Sequence, residues 1–144
     1  MPVEAVRGLV FGALMIHGLG HGGALGALLW IAFRPSDPTG GWQAARSWLL
    51  PALPAASATV VASAFWVISM SGFVAAALAF WGIVMPGGLW RPLAIGSAVV
   101  SLVGITLFYG TWPPFNTVAA LAVNVAVLAS LLWLRWPGIA AVGR

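Results

Sequence analysis

The sequence predicts an all-α membrane protein, a bundle of four transmembrane helices with a short interfacial segment between the first and the second. Three observations carry that prediction. The chain of 144 residues is 62% hydrophobic and only 6% charged, whereas a soluble domain carries about 25% charged residues. Its uncharged residues fall into four long runs, and about 20 apolar residues cross a hydrocarbon core of about 30 Å. Arginines, prolines and most tryptophans stand at the edges of those runs, where spans are anchored and broken.

Residues 8–33 form the first run. It exceeds the 7–15-residue apolar stretch of a signal peptide, and two histidines and several glycines interrupt it, so it reads as a retained span. Arg34-Pro35-Ser36-Asp37-Pro38-Thr39-Gly40-Gly41 follows as a water-exposed turn. Trp42 to Leu50 holds two tryptophans and one arginine before Pro51 and Pro54, which reads as an interfacial piece at headgroup level. The second span runs over about 57–85 and is closed by Pro86-Gly87-Gly88; the third covers about 92–109 after Arg91. Gly110-Thr111-Trp112-Pro113-Pro114 makes a tight turn, and the fourth span covers about 115–134. Proline at its entrance costs no hydrogen bond. No 20–50-residue period and no inverted repeat is visible, so residues 1–144 read as a single integral membrane domain.

With four spans the termini share a side. Arg7, Arg91, Arg135 and Arg144 lie on it, Arg34 and Arg46 on the other, which predicts cytoplasmic termini by the positive-inside rule. A net charge of +4 comes from singly scattered arginines that form no basic patch, so nucleic acid is not an expected partner; the lipid bilayer is. The chain has no cysteine, which excludes disulfides and thiol chemistry. No carboxylate pair, catalytic triad or phosphate-cradling loop is present, and the reading leans away from an enzyme. The glycine-rich stretch follows no strand and is no nucleotide fingerprint.

His17 and His21 are the polar pair near the centre of span one, and an ionisable group at that depth is by default a statement about function. Four apart, they share a helix face. Gly18, Gly22 and Gly26 form a neighbouring small-residue ladder, the pattern by which membrane helices approach closely. Thr59, Ser63 and Met70 share a stripe of span two, Ser97 and Ser101 one of span three, and Asn124 sits mid-way along span four. If these converge they form a polar interior layer. Hydroxyls in such helices commonly bond their own helix's carbonyls, and a mid-membrane amide needs a partner on another helix.

The histidine pair has four readings. The imidazoles are structural and bonded across helices; or they chelate a metal, with only methionines such as Met70 to add a soft, copper-favouring ligand; or one ligates haem iron; or the pair relays protons or binds a quinone carbonyl.

Ile16-His17-Gly18-Leu19-Gly20-His21 resembles the H-G-L-x-H signature in the first helix of a group of small bacterial membrane proteins, also of four spans. Gly110 and Phe115-Asn116-Thr117-Val118-Ala119 are similar to the glycine and asparagine that open the group's last helix, and Ser101 matches a serine in its third. The likeness is specific at His17, Gly18, His21 and Asn116. Gly22-Gly23 replaces a bulkier pair, and the 34–57 connection is longer and richer in proline. A second likeness, to DoxX-type four-helix proteins, rests on size and span count. The resemblance implies a four-helix, multi-pass protein of the bacterial inner membrane and draws attention to the histidines; it implies no activity.

The leading expectation is a structural or accessory membrane subunit that oligomerises through helix one or joins a membrane complex. The alternatives are a redox or ligand-binding protein holding haem, copper or quinone at His17 and His21, and a small transporter or proton-conducting component. A helix interface without a cavity favours the first. A mid-depth pocket converging on the histidines favours the second, and a continuous polar path to one side the third.

Overall fold

The computed structural model of the chain describes residues 2–34 and 41–138. Residues 35–40 of the expected turn, Asp37 among them, and Arg144 lie outside the described residues. Four helices, α1 (Val3–Phe33), α2 (Ala55–Trp81), α3 (Trp90–Leu107) and α4 (Pro114–Leu128), make up the fold, and α4 is prolonged by a π-helical turn, Ala129–Trp133. Among the described residues there is no strand. With their adjoining turns, all four helices are long and apolar enough to cross a membrane.

The helix ends follow from local chemistry. Helix α1 begins five residues before the expected uncharged run, because Pro2 precedes it and Glu4 pairs with Arg7 at 3.3 Å within its first turn. Its 31 residues extend about 46 Å, well beyond the hydrocarbon thickness, so a charged first turn is compatible with a span. Helix α2 stops at Trp81 rather than Met85. Gly82 adopts φ 82°, and the Gly82 and Ile83 amides close back on Ala79 and Leu78, the paired bonds of a glycine-terminated helix. A short 3-10 turn, Gly87–Leu89, leads into α3, which starts at Trp90, so Pro92 falls in its first turn. Pro114 opens α4 at the position where a missing N–H is free of cost.

Side chains at the two ends fix an up-down-up-down order. Arg7 Nη2 donates to the Trp81 carbonyl at 3.5 Å, and Arg91 Nη2 donates to the carbonyls of Arg135 and Pro137 at 3.1 and 2.8 Å. At the opposite end the backbone N–H of Gln43 donates to the Thr111 carbonyl at 3.0 Å, tying the two connections together. Helix α1 packs on α2, α2 on α3 and α3 on α4. The seam between α1 and α4 is the loose one.

Two apolar clusters fill the interior. One, at the end where the chain starts, contains Val10, Leu14, Phe80, Trp90 and Leu131; the other contains Ala24, Leu28, Trp66, Ile105 and Trp112. The outer surface is also apolar, with Ile16, Phe115 and Trp133 more than 70% exposed, an arrangement suited to lipid. Trp90 and Trp112 depart from the expected interfacial belt: both are buried, because each is drawn inward by aromatic partners, Phe80 for Trp90 and Trp66 for Trp112. Trp42 to Leu50 is irregular, and it folds partly over the bundle end instead of lying free at the headgroups. Ala45 and Ser47 are buried, Trp42 packs on Trp112, and Trp48 Nε1 donates to the Thr106 carbonyl at 2.5 Å.

The glycine ladder is used unevenly. A Cβ on Gly18 would stand 3.1–3.2 Å from Phe73 Cβ, the Met70 carbonyl and Val74, and one on Gly22 would meet Met70 Sδ at 2.8 Å. Gly26 faces open space and contributes nothing to this close approach. Gly18→Leu is therefore expected to destabilise the fold by about 1–3 kcal/mol through overpacking, whereas Gly26→Leu stays within about 0.5 kcal/mol. Reversible unfolding in mixed micelles separates the two, and equal losses would contradict the packing described.

Candidate functional site

His17 falls at the fifteenth of the 31 residues of α1, so the imidazole pair lies at the middle of that helix. Two of the residues singled out from the sequence, Asn124 and Ser101, meet it there from other helices. His17 Nε2–H donates to Asn124 Oδ1 at 2.9 Å. Asn124 Nδ2–H donates to Ser101 Oγ at 2.7 Å, and Ser101 Oγ is hydrogen-bonded to His21 Nε2 at 3.0 Å. The amide oxygen only accepts and the amide nitrogen only donates, which sets the direction of both Asn124 bonds and puts the His17 proton on Nε2. With the Ser101 hydroxyl donating to His21 Nε2, the His21 proton is on Nδ1. Asn124, Ser101 and His21 are each no more than 1% exposed. Four side chains from α1, α3 and α4 are thus joined in one run of hydrogen bonds.

Helix α2 supplies the aromatic packing. The Phe73 ring meets His17 edge-on at 4.7 Å and lies parallel to His21 at 6.0 Å. Trp66 stacks on His21 at 6.0 Å and contacts Trp112 at 4.8 Å, and Trp112 stands 5.5 Å from His21. Trp66 and Phe73 are seven residues apart on α2, hence on one face, which was the signal in the sequence for their shared role.

The remaining candidates lie apart from this network. Ser97 donates to its own helix, to the Leu93 carbonyl at 2.7 Å, and faces Gly72 of α2. Met70 packs its sulfur on Gly22. Asn116 is exposed at the cavity rim and bonds none of the four.

A cavity of about 340 Å³ opens between α1 and α4 beside the histidines. His17, His21, Trp42, Trp112 and Phe115 all line it, five rings around one space. Two of those residues carry a buried ring nitrogen without any hydrogen-bond partner among the described residues, His21 Nδ1 and Trp112 Nε1; Trp66 Nε1, just behind, is in the same condition. Indole N–H is a donor only, and with its proton on Nδ1 His21 is a donor there too. A buried donor left unpaired costs about 1–3 kcal/mol, so His21 and Trp112 each hold an unmet polar group beside the cavity.

A metal chelate fits the site poorly. A chelate from positions four apart needs one ring nitrogen of each imidazole turned to a common point. Here both Nε2 atoms are committed to different partners, Asn124 on α4 and Ser101 on α3. Among the described residues no group of three His, Cys, Asp or Glu side chains comes together.

Asn124→Ala removes the centre of the chain and is expected to destabilise the bundle by about 1–2 kcal/mol, with Ser101→Ala less than additive on top of it. Asn116→Ala is expected to change stability by less than about 0.5 kcal/mol. Full additivity of the first pair, read from unfolding in mixed micelles, would contradict a shared network.

Compared with known proteins, the chain matches no family model, no curated protein and no solved structure.

Proposed function

We propose that this four-helix membrane protein binds a small lipid-soluble molecule with a flat, carbonyl-bearing ring, of which a quinone is the membrane example. One observation carries the reading: two ring N–H donors, on His21 and Trp112, are buried without partners on residues that line the same cavity. The aromatic walls suit a flat ring, and the opening between α1 and α4 faces the side of the bundle, from which a molecule dissolved in lipid would enter. In this reading His21 Nδ1–H and Trp112 Nε1–H donate to the ligand carbonyl, and Ser101 and Asn124 hold the His21 tautomer that makes such donation available. Trp42 and Phe115 cover the ring. The termini face the cytoplasm in this proposal, so the cavity is entered from the outer half of the membrane.

A second reading, the structural subunit, is favoured by the closed polar chain, which by itself ties α1, α3 and α4 together. It leaves the unpaired donors without a role. Proton conduction has less support, because the Asn124 amide interrupts the path between the two imidazoles and hands no proton on.

The test uses the tryptophans of the cavity as reporters. Titration of the protein in nanodiscs with a short-tailed benzoquinone is expected to quench tryptophan emission saturably. Trp112→Phe keeps the ring and deletes the donor, and is expected to weaken binding about three- to tenfold; His21→Phe is expected to weaken it at least as much. Quenching that is linear in quinone, or identical in both variants, would overturn the proposal.

A further inference from the structure

We infer that the ligand carries a long apolar tail, and that the seam between α1 and α4 is the groove in which the tail lies; the inference rests on the ring site proposed above. A second cavity, of about 310 Å³, opens along the same seam nearer the end where the chain starts. Leu9, Leu14, Val127, Leu131 and Trp136 are among the residues lining it. Ala13 and Val123 border both cavities, so the two adjoin along the seam, with a methyl group on the α1 side and a small branched side chain on the α4 side where they meet. From Leu9 to His21 the groove follows α1 for about 18 Å, much longer than a single ring.

The two halves differ in chemistry. The half at His21 is lined by two residues whose buried ring nitrogens have no partner, and no residue lining the other half has a buried polar atom without a partner. The polar head is therefore held at the histidines, and the tail extends toward Trp136. An amphiphile with its acceptor at one end and hydrocarbon at the other fits this order, which assigns the ligand to the polyprenyl-quinone class rather than to a free small ring. The groove exists because α1 and α4 are joined through the His17–Asn124 hydrogen bond and do not pack closely on each other.

The experiment compares three probes in nanodiscs, with amounts expressed as mole fraction in the lipid so that partitioning drops out. They are a tailless benzoquinone, the same ring with a tail of several isoprene units, and a polyprenol with that tail. Ala126 is exposed and lines only the second cavity, so Ala126→Phe narrows the tail groove and leaves the ring site intact; Ser130→Leu serves if that variant does not fold. Wild type is expected to bind the tailed quinone at least tenfold more tightly than the tailless one. Either variant is expected to erase most of that advantage with tailless binding unchanged. Equal binding of the two quinones, or an advantage untouched by the substitutions, would overturn the tail groove while the ring site stands. A polyprenol that binds as tightly as the tailed quinone supports the groove and overturns the ring reading. Saturable binding of the tailless probe alone overturns only the tail, and its absence together with tight tailed binding overturns only the ring site.

Discussion

Polar groups in a hydrocarbon surrounding have to find their partners inside the protein, and the interior of this bundle is arranged around four that do. His17, Asn124, Ser101 and His21 come from three helices and are linked into one chain of hydrogen bonds. Lipid gives no hydrophobic drive for helices to associate, so such bonds, together with the close approach at Gly18, decide which helix faces which. The chain also fixes chemistry. With Ser101 donating to Nε2 of His21, the proton of that ring sits on Nδ1, a buried atom of a residue that lines the cavity.

Binding capacity follows from where close packing stops. Gly18, Gly72 and Gly104 let α1, α2 and α3 approach until a Cβ would collide with the neighbouring helix. No comparable device closes α1 on α4. That seam is bridged at one point, by His17 and Asn124, and stays open above and below it. A bundle built only for rigidity would have filled the gap with larger residues than Ala13 and Val123, and would have given Trp66 and Trp112 acceptors for their N–H groups.

Much of the fold was legible in the sequence, because span length, arginine placement and proline breaks are properties of single segments. The exceptions are instructive. Helix α2 ends at Gly82 rather than Met85, since a left-handed glycine stops a helix even where apolar residues continue. Trp112 looked like an interfacial anchor by position, yet Trp66 and His21 draw it inward, a long-range contact that no local pattern reports. Asn124 could be recognised as a side chain in need of a partner, and the histidines as its company, but Ser97 and Ser101 were indistinguishable four residues apart. Which of the two reaches His21 depends on the rotation of α3, and that is set by packing on α2. Gly26 continues the spacing of Gly18 and Gly22 but faces open space.

The most direct test of the site is the position of the protons on its two imidazoles. In protein labelled with ¹⁵N-histidine and placed in lipid bilayers, nitrogen resonances report which ring nitrogen is protonated. The predicted result is two different tautomers, Nε2–H on His17 and Nδ1–H on His21, with the His21 Nδ1 resonance moving when quinone is added. Protonation of His21 at Nε2, or a His21 spectrum indifferent to quinone, would contradict a donor held ready for a ligand at the centre of the bundle.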